Sequence, residues 1–119
     1  MNNIYQTKLN KILDKYKNIN IYINENIKYS TDKQIKIFKN VDELKSIPDK
    51  SIIITNKFDN KQLMDKITTK HCILIMLLSI KNDNLNNIIK ELNIQCVDIF
   101  SWHKDGKHDE FYFAIFQNE

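Results

Sequence analysis

The sequence predicts an α/β fold, with three layers in which helices cover both faces of a mostly parallel sheet and a C-terminal antiparallel hairpin closes it. Three observations lead there. Cys72-Ile73-Leu74-Ile75-Met76-Leu77-Leu78-Ser79-Ile80 is the longest apolar run. It is too short for a bilayer, which takes about 20 helical residues, and it lacks the alternation of a strand with one wet face. It therefore reads as a strand covered on both sides. A second apolar strand, Ser51-Ile52-Ile53-Ile54-Thr55, lies upstream, and helical patterns flank the central run, so strands and helices alternate. Finally, Asp105-Gly106, which holds the single glycine, separates two strand-like runs, as in a two-residue hairpin.

In chain order, residues 3–17 form an amphipathic helix. Tyr5, Leu9, Ile12, Leu13 and Tyr16 recur at helical spacing, while Lys8, Lys11, Lys15 and Lys17 point elsewhere. Ile19, Ile21 and Ile23 then alternate with Asn20, Tyr22 and Asn24, and Gln34–Phe38 alternates likewise, giving two strands of undetermined relative direction. The polar stretch Glu25–Lys33 between them is either a long hairpin loop or an irregular crossover. Val41–Ile47 is a short helix with Asp42 as N-cap, ended by Pro48.

The next helix start carries a full signature. Asp59 caps, Gln62 completes a capping box, and Phe58 with Leu63 forms the hydrophobic staple. Leu63, Met64 and Ile67 are its buried side. After the central strand, Asn82 or Asp83 caps a helix over 84–92, whose Leu85, Ile88, Ile89 and Leu92 share one face. Ile94–Trp102 and Glu110–Phe116 are the last strands. A two-residue turn between them sets the register: His103 faces His108, Phe100 faces Phe111 and Ile99 faces Tyr112. A longer loop over Lys104–Asp109 is the alternative. The whole reads as one Rossmann-like domain over residues 1–119, without repeats or linkers.

Composition narrows function more than it names it. With 42% hydrophobic and 28% charged residues, the 119-residue chain is ordinary for a soluble globular domain that needs no staples. The excess of Asn, Ile and Lys reflects a low-GC coding bias. Residues 1–70 hold 14 lysines against 8 acids (+6), and residues 71–119 hold 4 against 7 (−3). No arginine occurs, which removes the usual fork for phosphate and base recognition. Nucleic acid is therefore not the expected partner, and weak lysine-mediated binding by the first half stands as an alternative. No leader pattern opens the chain and no run is long enough for a membrane span, so a cytoplasmic location is expected. Cys72 and Cys96 read as buried small hydrophobes.

No stretch carries a catalytic, metal or nucleotide signature. His71, His103 and His108 with the two cysteines lack CxxC or HExxH spacing, so no metal and no catalytic residue is expected. In a mostly parallel sheet, ligands gather beyond the carboxyl ends of the strands. Those ends present Asn24, Glu25, Asn56, Lys57, Ser79, Lys81 and Asn82. Of these, Asn24, Asn56, Lys57, Ser79 and Lys81 are the cofactor-site candidates. The aromatics Phe100, Trp102, Phe111, Tyr112, Phe113 and Phe116 crowd the last hairpin. A hairpin rarely hides all of them, so Trp102 and Tyr112, with Asp105 and Asp109, are candidates for a partner surface.

The order over residues 51–116 resembles the second half of class I S-adenosylmethionine-dependent methyltransferases. The matching elements are Ser51–Thr55, Asp59–Thr69, Cys72–Ile80, Asp83–Leu92, Ile94–Trp102 and Glu110–Phe116. The resemblance implies that the last strand inserts antiparallel to the others. It also implies a glycine-rich cofactor loop after the first strand, where this chain has Asn24-Glu25-Asn26 and no glycine. The family's Asn-Pro-Pro-aromatic motif is replaced by Thr55-Asn56-Lys57-Phe58, and the helix after the first strand is missing. A relative so shortened has lost cofactor binding, and no cofactor is expected. The expected function is non-catalytic protein–protein contact, as an accessory subunit or inhibitor, with a protein partner or a second copy. A degenerate methyltransferase-like enzyme or nucleotide-binding domain is the alternative.

Overall fold

The computed structural model describes residues 4–16, 20–27, 29, 34–56, 61–81, 83–92, 94–101 and 111–117. Helix α1 (Ile4–Leu13) precedes strands β1 (Ile21–Asn24) and β2 (Ile35–Phe38), and a 3₁₀ helix spans Val41–Ser46. Then follow β3 (Ile52–Asn56), α2 (Lys61–Thr69), β4 (Ile73–Ser79), α3 (Leu85–Leu92), β5 (Cys96–Ser101) and β6 (Phe111–Gln117). The strands form one mixed sheet in the order β2-β1-β3-β4-β6-β5. The first four are parallel, while β6 runs antiparallel to both β4 and β5.

Alternation along the strands sorts the core into two clusters. Ile53, Leu74, Met76, Leu78, Tyr112, Ala114 and Phe116 face Leu63, Met64 and Ile67 of α2 and Ile88 of α3. Ile52, Ile54, Ile73, Ile75, Phe113 and Ile115 face Leu9, Ile12 and Leu13 of α1. In β4 every residue but Leu77 is buried, as expected of a strand covered on both faces. Both clusters follow from residue periods of two on strands and three to four on helices.

The parallel pairing of β1 and β2 settles the direction left open by the sequence. It requires the ten residues between Asn24 and Ile35 to return the chain to the starting end. Ten residues reach about 33 Å when extended, ample for a four-residue strand of ~13 Å. The short segment after β2 is 3₁₀ rather than α-helical, and Asn40, not Asp42, caps it. Its Oδ1 accepts from Asp42 N at 3.1 Å, while Glu43 Oε2 accepts from Asn40 N at 3.0 Å and Lys39 N at 2.6 Å. The two backbone N–H donors, Asn40 first and then Lys39, hold the Glu43 carboxyl below its ordinary range. Ile47, preceding Pro48, is extended as pre-proline residues must be, so the segment has no room for an α-helix.

The start of α3 also differs from expectation. Asn84 Oδ1 accepts from Asn87 N at 3.2 Å and is the cap. Asp83 instead accepts from Ser79 N at 2.8 Å, and its own N–H returns to Ser79 O at 3.0 Å. The Asp59 cap, Phe58 and Asn82 lie outside the described residues; α2 begins at Lys61 and holds Gln62 and Leu63 in its first turn.

In the terminal pair, Phe100 faces Phe113, Ile99 faces Ala114 and Ser101 faces Tyr112. This is displaced by two residues from the register a two-residue Asp105-Gly106 turn would set. A shift of two preserves the faces, so Phe100 still joins the α1-side cluster. The turn itself, with His103 and His108, lies outside the described residues.

Candidate functional site

Because β1 to β4 are parallel, Asn24, Phe38, Asn56 and Ser79 end their strands on one side of the molecule. Strand register then divides the expected site. Asn24 is partner to Phe38 and lies on the α2–α3 face, whereas Ser79, two residues beyond Leu77, lies on the α1 face. Asn24 is buried, and its Oδ1 accepts from Asn26 N at 3.0 Å. Ile27 N donates to Asn24 O and Glu25 N to Phe38 O, both at 3.0 Å. The loop after β1 is thus closed on itself and sewn to β2. Ser79 is buried beneath the turn that Asp83 closes. Asn56 and Lys81 are exposed, and Lys57 lies outside the described residues.

At the hairpin, Trp102, Asp105 and Asp109 lie outside the described residues. Tyr112, expected on an exposed patch, is only 9% exposed and belongs to the α2–α3 cluster. The reason is topological: β6 sits between β4 and β5, so it is an interior strand with neighbours on both sides. Burial first, then the Asp83 and Cys96 charges, push the Tyr112 phenol above its ordinary value. Among the described residues, the large apolar side chains that the hairpin exposes are Val97 (42%), Ile99 (48%) and Phe111 (43%). Val97 stands in the irregularity between Cys96 and Asp98, where pairing with β6 shifts. Lys15 reaches across from beyond α1 to within 4.0 Å of Asp98 and lies 5.1 Å above the Phe100 ring.

At the opposite end of the sheet a cavity of about 410 Å³ opens, lined by Tyr16, Lys50, His71, Ile73 and Gln117. Ile73 and Gln117 are register partners at the edge of β4 and β6, and form its floor. Tyr16 follows α1, and burial, then the charge of Asp98, raises its phenol pKa. Lys50 precedes β3, and His71 lies between α2 and β4; both have left-handed backbone, at φ 62° and 57°. Lys50 N donates to Lys70 O at 2.9 Å, which ties the two loops together. Cys72 N reaches Ile67 O at 3.3 Å, the six-to-one bond of a helix C-cap, so His71 occupies the position glycine usually takes. No sequence motif marks this place, because its residues are far apart in the chain.

Cys72 is buried as expected, whereas Cys96, near the start of the edge strand β5, is only half-buried. Cys72 Sγ lies 3.8 Å from Pro48 O, and Cys96 Sγ lies 3.6 Å from Asp98 O; burial raises both thiols above their ordinary value, which disfavours the thiolate. Among the described residues, no three His, Cys, Asp or Glu side chains gather to hold a metal. Among them too, no helix is long and apolar enough to cross a membrane. Compared with known proteins, the chain matches no family model, no curated protein and no solved structure.

Proposed function

We propose that this protein acts without catalysis, by protein–protein contact through its terminal hairpin, as an accessory subunit or inhibitor would. The observation that carries the reading is the β5 edge. Among the described residues β5 ends the sheet with no strand on its outer side, where Ile99 N donates to the Asp98 side chain at 2.8 Å, and Val97, Ile99 and neighbouring Phe111 remain exposed. Such an edge is a template for an added strand, with main-chain hydrogen bonds for affinity and side chains for specificity. The other edge, β2, also exposes an apolar side chain, Ile37, but it is four residues long against six for β5 and carries exposed Lys36 with Lys39 just beyond, and short, charged edges pair less readily. The occupant proposed for β5 is an extended segment of a protein partner, and a second copy of the chain is the competing occupant.

The test compares the wild-type chain with Ile99→Lys and Val97→Lys. Sedimentation and affinity capture are expected to show a complex that both variants lose while their melting temperatures stay near the wild type. A dimer lost in both variants would assign a second copy as the occupant. A wild-type chain that remains monomeric, and captures nothing the variants fail to capture, would sink the reading.

A second reading has its own support. Taking α1 on one side of the sheet and α2 with α3 on the other as a three-layer Rossmann-like arrangement, the last strand lies antiparallel between the two before it. This is what the methyltransferase resemblance implies, and it supports a shortened, degenerate relative. The closed Asn24–Ile27 loop weighs against retained cofactor binding. Thermal shift with S-adenosylmethionine decides it, since a ligand of the native state raises the melting temperature by mass action. No shift at millimolar ligand rejects a retained cofactor site.

A further inference from the structure

The cavity at the amino-terminal ends of β3 and β4 lies apart from the hairpin edge and does not depend on the reading above. We propose that it binds a small organic oxyanion, a carboxylate or phosphate joined to an apolar body, with Lys50 and His71 at the charged end. The volume of about 410 Å³ falls within the ~300–1,000 Å³ of small-molecule sites. Its lining combines what such a ligand needs: two basic side chains, a phenol and a carboxamide that can donate, and an apolar floor at Ile73.

The charge balance selects an anion. Among the described residues no carboxylate lines the cavity, and Asp98, the acid that acts on Tyr16, is itself 4.0 Å from Lys15. Among the described residues, neither the Lys50 ammonium nor the His71 imidazole has a hydrogen-bond or ion-pair partner. Charge-assisted hydrogen bonds from such groups to an oxyanion are the stronger kind. A cation would meet two basic groups. A metal would find one imidazole and no carboxylate. A nucleic acid would need a stripe of cations rather than two basic side chains at one open cavity.

The backbone supplies the second argument. Among the described residues, the two non-glycine positions with positive φ are both cavity residues, and the Lys50 N to Lys70 O bond fixes them relative to each other. Both positions contribute to the lining of one space from neighbouring loops. A site of this kind is held in place before the ligand arrives, which lowers the ordering cost of binding.

The test is a ¹H–¹⁵N NMR titration of the full chain with phenyl phosphate, benzoate, inorganic phosphate and benzyl alcohol. Phenyl phosphate or benzoate is expected to give saturable shifts at Lys50, His71, Ile73 and Gln117, with benzyl alcohol and inorganic phosphate much weaker. Tighter phenyl phosphate assigns a phosphate monoester, and tighter benzoate a carboxylate. The double variant Lys50→Gln, His71→Gln, checked for a dispersed spectrum, is expected to bind about tenfold or more weakly. Added salt tests the wild-type chain without substitution, because affinity for an anion must fall as charges are screened. Four results would overturn the proposal: no saturable shift from either aromatic anion up to about 10 mM, an equal response to benzyl alcohol, affinity insensitive to salt, or undiminished binding by a folded double variant.

Discussion

The left-handed backbone at Lys50 and His71 predicts that glycine at either position stabilises the fold. A non-glycine residue there costs roughly 1–2 kcal/mol. Glycine removes that cost but gives the unfolded chain more freedom, which returns about 0.5–1 kcal/mol. The expected net gain is therefore about 0.5–1 kcal/mol at each site. With an unfolding entropy near 2.1 cal/mol/K per residue, a chain of 119 residues has about 250 cal/mol/K in all. One kcal/mol then moves the melting temperature by about 4 °C, so each glycine variant should melt about 2–4 °C higher. Alanine variants provide the control, since they also delete the side chain but keep the backbone cost. Calorimetry or circular dichroism of His71→Ala against His71→Gly, and of Lys50→Ala against Lys50→Gly, isolates the backbone contribution. Equal melting temperatures within each pair, or a lower one for glycine, would refute the reasoning. Because the two loops are joined by the Lys50 N to Lys70 O bond, the double glycine variant should depart from simple additivity.

Two further outcomes test the core. Met76 is fully buried in β4 opposite Ala114, so Met76→Ala should cost about 2–5 kcal/mol and lower the urea midpoint accordingly; a loss under about 1 kcal/mol would mean that the site is less packed than described. The folded state raises the Tyr112 phenol above its ordinary 10.0, so its contribution is fully present below that pH and is lost as pH rises through the folded value. Urea melts from pH 9 upward should fall less steeply for Tyr112→Phe than for the wild type (about pH 10 marks the onset), and parallel curves would contradict the burial of that hydroxyl.

Much of the framework was readable because apolar residues decide it. β4, β3 and the face of α3 are written in runs of Ile and Leu whose period leaves little choice. The details that differed depend on hydrogen-bond competition between near-equivalent residues. Asn40 and Asp42 can each cap, as can Asp83 and Asn84, and the outcome turns on which carboxylate finds another donor: Glu43 reaches Asn40 N, and Asp83 is taken by Ser79 N. Six aromatics in one terminal hairpin imply that some are exposed, yet Tyr112 is covered because β6 is an interior strand. The amino-end cavity left no trace in the sequence. Its left-handed positions hold Lys and His instead of the glycine or asparagine that announces such backbone, and Tyr16, Lys50, His71 and Gln117 meet only after the sheet is assembled. The breaks at Pro48-Asp49-Lys50 and Lys70-His71-Cys72, each between helix and strand, are the nearest thing to a signal.

The position of β6 also orders the assembly of the molecule in time. β5 precedes β6 in the chain yet has no hydrogen-bonded neighbour except β6. β5 can join the sheet only through β6, so the two strands add to the edge of β4 together. The β5–β6 pairing is local in the chain, whereas the β4–β6 pairing joins residues far apart, and pairings of large sequence separation are slow to form. Until the β4–β6 pairing forms, β4 presents an open edge of Ile, Leu and Met to other nascent copies. Phe111–Gln117 therefore acts as a closing key whose arrival ends the exposure of the most apolar strand in the molecule.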